Sequence, residues 1–486
     1  MKSRLIGYQL LHEGILALSK IESNGIHIDM DYCNKKQVHL KRQVKQLYDD
    51  ILNTKEGKLW NKIFGIKTNL FSGEQLSHVL KELGYKFHIN DLTDKGNYKT
   101  GETTLEKFNV PFLDNYVRMK RLQKCESTYL SNFITETVNG FMHPFFHLHT
   151  VITYRGSSSN PNFQNIPVRI KEIKKVTRNA IIPRNNNMLL EIDFKGIEVM
   201  IAYCYHKDPV MYEYLTNKKM DMHRDTAMDC YQLKLNEMTD DIRYAGKNCF
   251  VFPQFYGSYY VSCALNLWNA ITKLKLKTQQ GIPLKEHLKT KGINNQKQFE
   301  NHIQKVENTF WNVRFKVYTQ WKKRWVNQYY KQGYFDMLSG FRCQGVMRKN
   351  EVINYPVQGA AFHCLMYCLI QIQNTLESMN LSSKIIGQIH DSIVMDVNPD
   401  EYNTILTIIN RIMTKEIMQN WKWIAIPLQV EIEVCKMNDS WLNKKQVHFH
   451  SCKQCRAKAL YKDDSELGKT IWDCPLCGNI EEEIQS

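Results

Sequence analysis

The 486-residue sequence has no run of eighteen apolar residues, so it offers no helix able to span a bilayer. Its opening, MKSRLIGYQLLHEGILALSKIESNG, carries charges throughout and lacks the apolar core of a secretory leader. No internal repeat is present. Acidic residues are in deficit, with 49 Asp and Glu against 65 Lys and Arg, a formal charge of +16 and a pI near 9.1. That field favours a polyanionic partner, and its binding should weaken with salt. Charge alone does not separate a phosphate backbone from an anionic membrane surface. With 43% hydrophobic and 11% aromatic residues the chain is folded, not disordered, and long enough for two or more domains.

Fourteen cysteines fall into two groups. Ten are scattered, mostly through apolar segments, as expected of reduced core thiols in an intracellular, cytoplasmic protein. The other four, Cys452, Cys455, Cys474 and Cys477, form two C-x2-C pairs separated by 18 residues. Each pair presents two thiolates, and two pairs close a tetrahedron around one structural Zn²⁺. With four sulfur ligands the site is closed, so His448 and His450 just upstream are not needed. The polar run 443–446 (NKKQ) is expected to be the linker into this module.

Residues 1–145 read mainly as helix. Positions 34–57 carry apolar residues at helical spacing, and Ser72 with Gln75 three residues later marks a helix start. Strand character appears in LHTVITYRG (148–156), MLLEIDFKGIEVMIAY (188–203), IIGQIHDSIVMDV (385–397) and IPLQVEIEVCKM (426–437), with helices between. Helices around a small interrupted sheet imply an α+β core.

Two carboxylates stand out. Asp193 ends an apolar strand, and Asp391 lies in a His-Asp-Ser corner between two strand-like runs. Taken singly, the first is as readily a helix cap and the second a turn. Brought together, they would hold two Mg²⁺ roughly 3.5–4 Å apart for chemistry at a phosphate. The block 241–257 (DIRYAGKNCFVFPQFYG) places Arg243 and Lys247 four residues apart on one helical face, suited to a triphosphate. Phe252 and Tyr256, also four apart, would form a floor for a base and sugar. An amphipathic helix with its aromatics in the core reads almost as well.

Together these blocks resemble the polymerase domain of family A DNA polymerases, across about residues 5–441. TYRGSSSNPNFQNIP (153–167), the motif A segment DFKGIE (193–198), DMHR (221–224), the motif B segment 243–257, NYPVQG (354–359) and the motif C pair His390-Asp391 follow in the family's order. The resemblance implies a right-hand architecture of thumb, palm and fingers with DNA-templated DNA synthesis. Asp193 and Asp391 would bind the two catalytic metals, and Arg243, Lys247 and His223 would contact the triphosphate. Phe252 and Tyr256 would line the nucleotide pocket, with Glu198 packed on Tyr256 as a gate against a ribose 2′-hydroxyl. Arg155, Gln164, Asn165, Asn354, Gln358 and His390 would lie along the primer–template DNA.

The expected division is a thumb with a palm-associated helix (1–150), palm (151–230), fingers (231–335), palm again (336–445) and zinc ribbon (446–486). No carboxylate constellation for a proofreading exonuclease and no 5′-nuclease domain are expected. The implied partners are primer–template DNA and deoxynucleoside triphosphates, with a monomeric chain and a replication protein as a candidate partner for the ribbon. A compact polymerase without nuclease domains would suit a phage or other mobile genome. A single-subunit RNA polymerase would lack the Glu198 gate and the QNIP segment. A catalytically dead primer–template-binding protein would have lost an aspartate. A Mg²⁺ nuclease would not need the triphosphate grip.

Three departures from the family pattern are visible. Lys195 and Gly196 replace a small polar residue and Gln, and Ser392 stands where the family has an auxiliary Glu. In motif B, Lys247 and Phe252 are five residues apart instead of four. At about 100° per residue that extra residue would turn the aromatics off the cationic face. A single-turn π-bulge near Cys249–Pro253 would absorb it and relieve the clash made by Pro253. The lysine-rich segment 273–297 reads equally as a template guide or a solvated loop.

Overall fold

The computed structural model describes residues 2–87, 91–108, 110–168, 170–464 and 469–484. Near the N-terminus the helix Met30–Asn53 starts where the Asp29 carboxylate accepts the Tyr32 amide at 2.9 Å. Ser72 caps Gly73–Glu82 by accepting from the Gln75 amide, as its spacing predicts. With Lys55–Phe64 and Pro111–Lys124, these helices enclose a small hydrophobic core of their own around Trp60, Leu76, Val79, Tyr116 and Met119.

The larger core surrounds one eight-stranded sheet, antiparallel at every pairing. Its first four strands in spatial order are Lys384–Ile389, Ser392–Val397, Met188–Phe194 and Val430–Val434. Strand Met188–Phe194 is nearly continuous in apolar residues because both of its faces are covered along most of its length. The 30-residue helix Lys349–Ser378 packs on the hairpin strands and is buried on most sides.

Four sequence expectations are corrected. The run 188–203 is strand only as far as Phe194; Gly196, with a left-handed φ of 60°, turns the chain, and Ile197–His206 is helix. Residues 148–156 do not form one strand; short strands Phe145–His147 and Ser157–Ser159 pair with each other and 148–156 makes the bends between them. The β-branched run at 151–153 favours a strand, but Tyr154 adopts a left-handed φ of 56°, which ends it.

The segment 443–446 is not a linker. Strand Lys445–Phe449 pairs directly with Val430–Val434, and the strands Ala459–Asp463, Lys469–Asp473 and Ile480–Ile484 continue the same sheet. The Lys444 ammonium is buried between the Glu191 and Glu433 carboxylates, at 2.5 Å from Glu433, and Trp441 Nε1 donates to Glu191 at 2.9 Å. Two acids on adjacent strands require a cation there, and that need holds the chain against the sheet.

The segment 273–297 is not a free loop. Leu276, Leu284, Leu288 and Ile293 are buried, helix Leu284–Thr290 forms, and buried His287 meets the Gln232 carbonyl at 3.0 Å.

Candidate active site

Strand pairing brings the two aspartates to one place. Asp193 lies opposite Ser392, the neighbour of Asp391, so both carboxylates reach the same end of the sheet. They line a cleft of about 640 Å³ together with Arg155, Glu198, Phe252 and Tyr256. Asn354, Gln358 and His390 complete its wall. Asp391 belongs to a tight corner in which His390 takes a φ of 50°. Gly196, with φ 60°, turns the chain from strand Met188–Phe194 into helix Ile197–His206, which carries Glu198.

The electrostatics of this end are strained without a cation. Burial first, and then the Asp391 charge, pushes the Asp193 carboxyl up to about 7. Glu191 and Glu431 add to that push. Burial also raises Asp391, with the Arg155 guanidinium working in the other direction. Two partly desolvated carboxylates that repel one another are the donor set a divalent cation would relieve.

Motif B folds with the bulge its sequence requires. Helix Asp240–Gly246 passes into one π-helical turn, Lys247–Val251, before Phe252–Phe255 continues. The turn begins two residues earlier than expected. Its effect is the expected one: Lys247 Nζ stands 5.2 Å from the Phe252 ring centroid, so cation and aromatic share a face. His223 meets the same ring edge-on at 5.7 Å. Burial and the cations Lys247 and Arg243 hold His223 down to about 4, so its ring is neutral at pH 7. Its Nδ1 is buried with no hydrogen-bond partner among the described residues.

Arg243 Nε donates to Asp221 at 2.5 Å, and the same Asp221 caps helix Met222–Tyr231 through the His223 and Arg224 amides. One carboxylate thus fixes both a cation and a histidine. The sequence placed Asp221 only in the DMHR block, and its bond to Arg243 depends on how two helices cross. Gly246 makes that crossing close, since a Cβ there would lie 2.6 Å from the Ala227 Cβ.

Across the cleft the Tyr256 hydroxyl donates to the Glu198 carboxylate. Burial raises Glu198, and burial with the Glu198 charge raises the Tyr256 phenol. Asn354 donates to the Tyr256 carbonyl at 3.4 Å. Gln164 and Asn165 sit outside this cleft, in a neighbouring one of about 750 Å³ that runs past His390 toward Tyr116, Lys120 and Arg121. Gln164 is joined to the site by a relay: it donates to Gln388 at 2.5 Å, and Gln388 donates to the His390 carbonyl at 2.6 Å. Sequence reasoning passed over Glu431, which lies opposite Asp193 on the far side from Ser392 and pairs with Lys195 at 3.6 Å.

In the terminal module, the Sγ atoms of Cys452, Cys455, Cys474 and Cys477 all lie within 4.8 Å of one another. The Cys452–Cys477 and Cys455–Cys474 separations are 3.7 and 3.5 Å. A tetrahedron with Zn–S bonds of about 2.3 Å has edges of about 3.8 Å, so the donor set fits Zn²⁺. His450 instead stacks on Trp472 at 4.1 Å.

A family model described as DNA polymerase family A matches residues 31–442. The chain belongs to that family. It is 25% identical to a DNA polymerase I of Borreliella burgdorferi over 448 residues, which cover 89% of this chain and 44% of that protein. It is 25% identical to the thermostable DNA polymerase I of Thermus filiformis (88% and 47% covered) and 24% identical to a DNA polymerase of Bacillus phage SP01 (87% and 49% covered). The chain thus spans about half the length of the curated relatives it matches. Among solved structures, it is similar to the POL domain of Pol1 from M. smegmatis, in complex with DNA primer-template and dNTP. The TM-score is 0.68 at 22% identity, over 88% of this chain and 70% of that one, which shows a shared fold. No described helix is long and apolar enough to cross a membrane.

Proposed function

We propose that the chain extends a DNA primer on a DNA template by adding deoxynucleotides. The reading is carried by the convergence, in one cleft, of Asp193 and Asp391 with a helix whose π-turn aligns Lys247 and Phe252. In the family's thumb–palm–fingers terms, 1–150 corresponds to thumb, 151–230 and 336–445 to palm, 231–335 to fingers and 446–486 to the ribbon. An intracellular setting accords with the ten buried or half-buried thiols outside the ribbon.

Asp193 and Asp391 would hold two Mg²⁺, which when bound activate the primer hydroxyl and stabilise the leaving phosphates. The residues themselves do the positioning. Arg243, preset by Asp221, and Lys247 meet the triphosphate as cations, with the neutral His223 ring beside them. Phe252 stacks under the base and sugar. Tyr256 holds Glu198 where a ribose 2′-hydroxyl would collide. Arg155, Asn354, Gln358 and His390 line the same cleft at the primer end, and Gln164 with Asn165 continues that surface along the duplex. Four cysteines would hold one structural Zn²⁺, whose role there is to close the terminal module.

The test is primer extension by the whole chain with deoxy- or ribonucleotides on a DNA template. Extension with deoxynucleotides that depends on added Mg²⁺ is expected. No extension, or equal use of ribonucleotides, would overturn the respective assignment.

A further inference from the structure

Gln254 is buried, 3% exposed, and lies between Phe252 and Tyr256, the two aromatics that line the cleft. The helix that carries it, Phe252–Phe255, is only four residues long. It is entered through the π-turn Lys247–Val251 and ends at Gly257, where φ is 86°. So short a helix between two irregular joints has little stiffness of its own. Contacts outside it must set its rotation about its axis. At about 100° per residue, Gln254 projects from roughly the opposite side of the helix to both aromatics.

On that side its amide is used at both ends. Nε2 donates to Glu307 Oε1 at 2.6 Å, and Oε1 accepts from Trp311 Nε1 at 2.6 Å. Glu307 belongs to helix Gln296–Thr309 and Trp311 to the π-turn Phe310–Arg314 that follows it. One buried amide thus ties the back of motif B to a second helical corner. That corner is itself held. Burial pushes the Glu307 carboxyl up, while Gln254, the Tyr260 amide and the Lys322 charge draw it back down. Lys322 Nζ lies 3.0 Å from the Trp311 ring centroid, and Thr319 Oγ1 donates to the Trp311 carbonyl at 2.6 Å. An amide with a fixed donor and a fixed acceptor has one favourable orientation, and leaving either partner unpaired in a buried place is costly.

We infer that Gln254 is a positioning residue for nucleotide selection: tied to Glu307 and Trp311, it sets the rotation of helix Phe252–Phe255, and with it the Phe252 floor and the reach of Tyr256 to Glu198. The inference rests on the polymerase reading above. It adds a determinant of specificity outside the residues that line the cleft. The lever is long enough to matter. A turn of about 10° carries an atom about 9 Å from the helix axis by about 1.6 Å, more than a hydrogen bond tolerates.

The test is steady-state addition of one deoxynucleotide or its ribonucleotide to a primer by the whole chain, with Tm and primer–template affinity measured on the same samples. Gln254→Leu keeps apolar bulk and removes both hydrogen bonds. KM for the deoxynucleotide should rise about tenfold and the deoxy-to-ribo ratio of kcat/KM should fall about tenfold, with primer–template binding within about twofold of the parent. Trp311→Phe removes one donor and leaves an aromatic ring, so both values should move the same way by a smaller factor. The swap Gln254→Glu with Glu307→Gln keeps every donor facing an acceptor. It should return both values to within about threefold of the parent. A purely structural role would lower Tm or the active fraction and leave KM and the ratio unchanged, and that result would overturn the inference. A swap that fails to restore the ratio would overturn it as well. Failure of the polymerase reading appears separately, as absence of extension by the parent.

Discussion

The hydroxyl of Tyr256 and the carboxylate of Glu198 are joined by a hydrogen bond that spans the cleft lined by Asp193 and Asp391, linking the helix after motif A to the end of motif B. Neither residue alone fixes the width of the cleft at this point. The phenol positions the acid, while burial, and then the bond to the acid and its charge, push the phenol's pKa up.

Tyr256→Phe removes the donor and leaves a partly buried carboxylate without its partner. Hydrogen bonds to charged groups contribute about 1.5–3 kcal/mol, so discrimination against ribonucleotides should fall by roughly tenfold or more. The ratio of kcat/KM for a deoxynucleotide to that for its ribonucleotide measures this. An unchanged ratio would remove Tyr256 from the gate.

The Asp193 carboxyl, held up at about 7 in the metal-free chain, makes stability depend on pH. A carboxyl whose folded value lies above its unfolded value near 3.9 favours folding while protonated and loses that contribution as pH rises through about 7. Asp193→Asn should therefore raise Tm of the metal-free protein at pH 8 more than at pH 4. Asp193 also faces the open cleft, so the shift should be modest and should shrink on adding Mg²⁺. Equal effects at both pH values would contradict the assigned strain.

Lys444→Met leaves Glu191, and in part Glu433, as acids without their cation on the adjacent strands Met188–Phe194 and Val430–Val434. Removing one partner of a buried pair costs about 3–5 kcal/mol, and exposure of Glu433 places this case at the lower end. Thermal unfolding should show the loss, and Glu191→Gln in the same chain should restore part of it. Limited proteolysis should cut the ribbon strands first in Lys444→Met. A free tether at 443–446 would show neither effect.

What was legible in the sequence follows from what each signal measures. The π-turn was readable because an extra residue and a proline in a short helix leave few ways to keep Lys247 and Phe252 on one face. The hairpin around Asp391 was readable from two apolar runs and a polar corner. The course of 148–156 was not, because β-branched residues signal strand while a single left-handed Tyr154 breaks it. The docking of the ribbon was hidden for a different reason. Lys444 looks like a solvated linker residue until Glu191 and Glu433, 253 and 11 positions away respectively, are seen on adjacent strands. Glu431 was missed likewise, since its relation to Asp193 exists only through strand register.

The most direct test of the central claim is Asp391→Asn, assayed by single-turnover primer extension alongside primer–template binding. Loss of a carboxylate that holds the reacting metals removes several kcal/mol of transition-state stabilisation, so the rate should fall by about a thousandfold or more. Binding of primer–template should stay within about twofold, because the proposed DNA contacts lie on other residues. A variant that extends primers at the parent's rate would contradict the assignment of this cleft as the site of synthesis.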